Sequence, residues 1–265
     1  MEPMARMALR AARTAGKHII RAFDRPDLIK ISQKGPNDYV TDTDKEVERI
    51  IIEELKSVYP DHNFVGEENV FEPQNPDAEY QWVIDPIDGT TNFTHNLPHF
   101  CISIACMFKG KVEHGVILDP LRQEEFVTSR GKGCAMNGHR LRVRDTNDLK
   151  GAMISTGGRE DEDIATAQGN IYAELISQGA IMRQGGSAAL DLAYIAAGRL
   201  DAMWMRNLNL WDIAAGTLMV QEAGGRLGDF AGGASHMRTG NIIAAGPKVF
   251  RALTPVVKQH LGHLI

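Results

Sequence analysis

Residues 82–92 read Trp-Val-Ile-Asp-Pro-Ile-Asp-Gly-Thr-Thr-Asn, an apolar run that ends on two carboxylates three positions apart. This junction constrains the fold more than any other stretch, because a buried strand that delivers charge must end at a crevice, as strand ends do in open α/β sheets. Pro86 fixes φ and donates no N–H, which predicts a sharp turn after Asp85. Gly89 lets a ligand approach the backbone closely. The N–H groups of Gly89, Thr90 and Thr91 suit an anion at a helix start. Two acids and an anion conflict unless a cation lies between them. Carboxylate oxygens suit Mg2+, and the Ile87 carbonyl between the aspartates offers one more oxygen. A plainer reading stays open from these residues alone, with Asp88 capping a short helix and Asp85 satisfied at a strand end.

The rest of the chain is read from its periodicities. Met4, Met7, Ala8, Ala11, Ala15 and Ile19 predict a helix over residues 2–23. Thr43-x-x-Glu46 has the form of a capping box, so a second helix is expected from Thr43, with Val47, Ile50, Ile51, Leu55 and Val58 buried and a stop at Tyr59-Pro60. Extended segments are expected at 63–65, 81–84, 100–108, 111–118, 124–129 and 139–144, with Lys109-Gly110 turning a hairpin. Beyond about residue 150 strands near 152–156, 181–183, 200–205 and 241–245 alternate with helices at about 163–178, 187–197 and 211–223 and one opened by Pro247. The expectation is a single domain over 1–265, with an α+β subdomain over about 1–148 and an α/β subdomain over about 149–265 sharing a cleft.

Composition narrows the function classes. The 265 residues carry 29 basic and 34 acidic side chains, a net charge of −5, which disfavours nucleic-acid binding as a main task. No stretch is long and apolar enough for a membrane span. The start lacks a basic segment followed by an apolar one. The three cysteines Cys101, Cys106 and Cys134 form no CxxC, so reduced thiols and a cytoplasmic location are expected.

Further acids lie at strand ends or helix starts: Glu67 and Glu68 after Asn63-Phe64-Val65, Asp212 beside Trp211, and Asp42 and Asp44 around Thr43. Each has an ordinary explanation singly, as a solvated pair or a helix-start acid. Together, without a cysteine or histidine metal motif, they fit an oxygen-ligand site. No P-loop, HExxH, GxSxG or GxGxxG pattern occurs. His95 and His99 are separated by Pro98, Gly157-Gly158-Arg159 reads as a loop, and Asn92-Phe93-Thr94 is a formal sequon that a cytoplasmic chain would not use. Arg140, Arg142 and Arg144 present one basic strand face, read as edge protection.

Gly66-Glu67-Glu68, the Asp85–Asn92 block, Trp211-Asp212-Ile-Ala-Ala-Gly216 and Glu222-Ala-Gly-Gly225, in that order, resemble the inositol monophosphatase family, most of all its bacterial SuhB-type members. The likeness runs from Lys34-Gly35 and Val40-Thr-Asp-Thr-Asp44 to Gly240-Asn-Ile-Ile-Ala. It implies a Mg2+-dependent, lithium-sensitive phosphomonoesterase of layered αβαβα fold, usually a homodimer. By matching position, Glu67, Asp85 and the Ile87 carbonyl would hold a first metal, Asp85, Asp88 and Asp212 a second, and Glu67 would help hold a third. Thr90, backed by Asp44, would deprotonate the attacking water. The backbone of Gly89, Thr90 and Thr91 would seat the phosphate, and Gly186, Ser187 and Ala188 would line the polyol pocket. Phosphate monoesters hydrolyse extremely slowly unaided, and paired metals can clamp both the attacking and the leaving oxygen.

The chain departs from the family in two places. Inositol-active members carry a carboxylate seven residues before the Trp-Asp aspartate, where this chain has Met205, a weak acceptor. The run after Thr156 is Gly-Gly-Arg-Glu-Asp-Glu-Asp, without the Gly-Phe-Pro common in bacterial relatives. The resemblance therefore implies hydrolysis of inositol 1-phosphate or a similar small polyol phosphate, with weakened inositol selectivity. The alternatives are a fructose 1,6-bisphosphatase or 3′-phosphonucleotide phosphatase of the same family, or a regulatory protein acting on RNA or the transcription machinery.

Overall fold

The computed structural model describes residues 1–25, 27, 31–35, 38–69, 75, 77–157 and 162–264. The chain opens with helix α1 (Pro3–Phe23), the strand pair β1 (Ile31–Gly35) and β2 (Asp38–Thr41), and helix α2 (Asp42–Lys56). Next come β3 (Asn63–Gly66), β4 (Tyr80–Asp88), the short α3 (Thr90–Thr94), and a meander of β5 (Cys101–Phe108), β6 (Lys111–Asp119), β7 (Glu124–Ser129), β8 (Gly133–Met136) and β9 (His139–Arg140). The second half holds β10 (Met153–Gly157), α4 (Glu162–Ser177), β11 (Ile181–Arg183), α5 (Ala188–Ala196), β12 (Ala202–Met205), α6 (Leu210–Glu222), β13 (Arg226–Gly228), α7 (His236–Thr239), β14 (Ile242–Ala245) and α8 (Pro247–Leu261).

The seven-stranded and five-stranded sheets alternate with three helix layers, the αβαβα arrangement, and β1 and β2 form a separate two-stranded sheet. Strands β3 to β9 lie side by side in chain order, with β3 parallel to β4 and the rest antiparallel. The second sheet runs β11-β10-β12-β14-β13. Helix α1 places Ala5, Ala8, Ala12, Ala15 and Ile19 on one buried stripe, and these small side chains let it pack closely on α2 and the first sheet. Helices α5 and α6 fill the space between the sheets. Residues 213–220 of α6 are buried without interruption, as a helix covered on all sides requires. Helices α4 and α8 cover the outer face of the second sheet.

Local chemistry moved several expected boundaries. The cap of α2 is Thr41, not Thr43: its Oγ1 accepts from Asp44 N, while Asp44 Oδ2 accepts from Thr41 N at 2.8 Å. The helix ends at Lys56, short of Tyr59-Pro60, and Val58 is exposed. Pro86 makes no turn. Strand β4 runs on to Asp88 through a bulge, where three steps on β4 (Asp85 to Asp88) face two on β5 (Ser103 to Cys101). A residue without an N–H fits such a gap in the ladder, and the bulge re-aims its neighbours. Only His139–Arg140 of the strand expected at 139–144 pairs. Arg140, Arg142 and Arg144 are nevertheless exposed, with Leu141 buried between them. Strands β1, β2, β8 and β13 escaped the sequence reading, being short and without clear alternation.

Candidate active site

Strand β4, the N-termini of α3, α5 and α6, and the C-terminal ends of β3, β10 and β12 converge on a cleft of about 410 Å3. It is lined by Glu67, Asp85, Ile87, Asp88, Gly89, Thr90, Thr91, Gly186, Ser187, Ala188, Met205 and Asp212, so every residue assigned to the site by resemblance except Asp44 borders it. Asp44 is buried directly behind Thr90, whose hydroxyl reaches Asp44 Oδ1 at 3.2 Å and the Ile87 carbonyl at 3.0 Å. Asp42 is exposed beside α1, away from the cleft. Residues 158–161, in the run that departs from the family, lie outside the described residues, and Gly157 borders the cleft.

The acids sit where backbone donors hold them. Ile87 N donates to Asp85 Oδ1 at 3.1 Å. Asp88 Oδ2 meets the start of α5, accepting from Ser187 Oγ at 2.5 Å and Ala189 N at 2.7 Å. Those donors and the helix dipole favour its charge and leave the other oxygen for the cleft. Asp212 accepts from Asn209 N at 2.6 Å and also lines the cleft, so its place as a helix-start acid does not remove it from the cleft. Gly89, at the start of α3, has φ +100°, a left-handed conformation that glycine adopts without strain.

Oxygens of Asp85, Asp88 and Asp212 all lie within 4.8 Å of one another. Burial, then Glu67, Asp88 and Asp212, push the Asp85 carboxyl well above its ordinary value. Burial raises Asp88 as well, against the hydrogen bonds from Ser187 and Ala189. Burial and then Asp88 push Asp212 up to about 8. Three mutually repelling carboxylates with only oxygen donors fit a hard divalent cation. Glu67 lies outside the close trio, but borders the same cleft and its charge is felt by Asp85 and Asp212.

These shifts set a sign for stability. Raised folded pKa values mean the native state binds more protons than the unfolded chain, so metal-free stability falls as pH rises from about 4 through 8. A cation bound by the ionised acids adds stability that grows over the same range. Melting with EDTA at about pH 5 and pH 8 is expected to give the lower Tm at pH 8, and magnesium the larger Tm gain there. A metal-free Tm that does not fall contradicts this reading of the trio.

Two positioning groups were missed by sequence reasoning. Glu48 of α2 is fully buried, and its Oε2 accepts from Glu68 N at 2.8 Å, steadying the turn that carries Glu67. Its carboxylate fills the space where a Cβ on Gly66 would stand, 2.2 Å away. Gly66→Ala is therefore expected to cost about 1–3 kcal/mol by overpacking, read as a lowered Tm; an unchanged Tm would show that Glu48 moves freely. Asn92 donates both amide hydrogens, to the His99 and Gly185 carbonyls at 2.8 Å each, and so ties α3 to the loop before α5. The sequon asparagine is thereby committed inside the fold.

The comparisons with known proteins agree with this geometry. The model of the inositol monophosphatase family matches residues 1–261. Nus factor SuhB of Pseudomonas aeruginosa is 49% identical over 265 residues, covering 98% of each chain. Nus factor SuhB of Escherichia coli K12 is 46% identical over 263 residues, covering 99% of this chain and 98% of its own. Among solved structures, extragenic suppressor protein suhB from Bartonella henselae superposes with a TM-score of 0.92 at 38% identity, over 96% of this chain and 98% of that one. An IMPase of Thermotoga maritima gives 0.86 at 34% identity, over 97% of both.

Proposed function

The chain belongs to the inositol monophosphatase family, and from that premise we propose that it is a Mg2+-dependent phosphatase of inositol 1-phosphate or a similar small polyol phosphate. The observation that carries the reading is the close Asp85–Asp88–Asp212 trio in a cleft that also presents the start of α3 and Thr90. Glu67, Asp85 and the Ile87 carbonyl would hold one Mg2+, and Asp85, Asp88 and Asp212 a second, with Glu67 helping to hold a third. Bound there, the ions supply positive charge against the ester phosphate and lower the pKa of coordinated water. The chain supplies position and a proton path. Thr90 Oγ1, donating toward Asp44, keeps lone pairs free to accept from an attacking water. Asp44 takes up the proton that Thr90 passes on. Burial pushes its carboxyl up to about 6, against hydrogen bonds from Thr41 that hold it down, so it is mostly ionised near neutral pH. The N–H groups of Gly89, Thr90 and Thr91 would seat the phosphate.

The leaving alcohol would face Gly186, Ser187, Ala188 and Met205. Met205 is 2% exposed, and its Cε lies 3.9 Å from where a Cβ on Gly157 would stand. A thioether at that wall replaces a strong acceptor for substrate hydroxyls. The parent enzyme is therefore expected to favour inositol 1-phosphate over glycerol 2-phosphate only weakly, and Met205→Glu to raise that preference about 5- to 150-fold. Ratios of kcat/KM test it. A strong inositol preference in the parent, or an unchanged ratio in the variant, removes Met205 from the account.

A cytoplasmic homodimer inhibited by lithium completes this reading. The three cysteines are free and buried, and among the described residues no helix is long and apolar enough to cross a membrane. A second reading, a regulatory role with RNA or the transcription machinery, is supported by relatives named Nus factors and by the exposed Arg140, Arg142 and Arg144. Complementation with Asp88→Asn separates the two: lost cellular function implicates hydrolysis, retained function implicates binding.

A further inference from the structure

A second cavity, of about 440 Å3, opens between the β5–β6 turn, α6 and α7, and shares no lining residue with the catalytic cleft. Its floor is apolar, with Met107 and Val112 from the hairpin and Met237 from α7. Three exposed cations line it: Arg130 pairs with Glu113 at 3.0 Å, while the side chains of Lys111 and Arg238 have no partner among the described residues. His236 also borders it. That side chain is 8% exposed, and its Nδ1 is buried without a hydrogen-bond partner. An orphaned buried nitrogen is costly, so this wall of the cavity is not fully satisfied by the chain itself.

We propose that this cavity binds an acidic polypeptide segment of a partner protein, anchored by one apolar side chain. The apolar floor takes the anchor, and Lys111 and Arg238 pair with flanking carboxylates. An RNA strand would meet the two cations through its phosphates, whereas an acidic segment also offers an aliphatic side chain to the thioether floor. The chain's overall charge of −5 gives no general attraction for polyanions, so the selectivity for an acidic segment is local to this edge. The inference does not rest on the hydrolytic reading of the other cleft.

The probe is a fluorescein-labelled peptide in which Asp and Glu flank a central Leu, compared with its Asn/Gln counterpart and with single-stranded RNA, read by fluorescence anisotropy on the full chain. Saturable binding of the acidic peptide is expected, weaker by about tenfold or more for the Asn/Gln peptide and for the Lys111→Glu/Arg238→Glu protein. Met237→Asp is expected to weaken it similarly, while circular dichroism and Tm show that each variant folds. No saturable binding, equal binding by parent and charge-reversed protein, or RNA binding more tightly through the same two cations would overturn the proposal.

Discussion

Asp88→Asn is expected to lower magnesium-dependent phosphate release by more than about 100-fold, beyond the 10- to 100-fold typical of losing an outer-shell partner. The geometry explains why so small a change is so costly. Ser187 Oγ and Ala189 N both donate to Asp88 Oδ2, so the Asn carbonyl must keep that place. The amide NH2 then replaces the oxygen left for the cleft, presenting a donor where a cation needs an acceptor. The same variant has an opposite effect on the metal-free fold. Asp88 is the strongest charged neighbour raising the Asp212 pKa, so removing its charge relieves repulsion. The expected pattern is a higher Tm with EDTA, a lost magnesium-dependent Tm gain and lost activity. Retained metal stabilisation in this variant would falsify the assignment of Asp88 as a ligand.

Thr90→Val is expected to lower kcat by about 10²- to 10⁴-fold, the usual contribution of a positioned acid–base group, while the magnesium-dependent Tm gain stays. Valine keeps the shape and removes the oxygen that bridges Asp44 and the Ile87 carbonyl. Asp44 accepts a proton only when ionised. Its raised value of about 6 therefore places an acidic limb in the rate, with activity lost as pH falls through about 6 at saturating magnesium. Asp44→Asn is expected to remove that limb along with most of the rate. A Thr90→Val enzyme that loses metal binding instead of turnover would make Thr90 a structural support.

The Asp85–Asn92 block was readable in the sequence because an apolar run, two acids and a glycine stand together, and its order with Glu67 and Trp211-Asp212 carried the family. The αβαβα layering came with that resemblance; the periodicities alone gave an α+β part followed by an α/β part. Other features needed three dimensions. Thr43-x-x-Glu46 imitates a capping box as well as Thr41-x-x-Asp44 does, and only the extended backbone of Thr41 decides between them. Pro86 reads as a turn in isolation; the neighbouring strand β5 makes it a bulge. Glu48 sits one turn after Asp44 on the apolar face of α2, where a carboxylate looks like an interruption until the Glu67–Glu68 turn covers it. Asn92 ties two segments 93 positions apart, a separation no local pattern records.

The central claim is that this acidic cleft hydrolyses phosphate monoesters with magnesium. Its most direct measurement is phosphate release by the purified chain across inositol 1-phosphate, glycerol 2-phosphate, fructose 1,6-bisphosphate and a 3′-phosphonucleotide, with magnesium, with EDTA and with added lithium. The expected result is release from a small polyol phosphate that requires magnesium, is suppressed by lithium and vanishes in Asp88→Asn. No magnesium-dependent release from any of the four, or release that Asp88→Asn leaves unchanged, would contradict it.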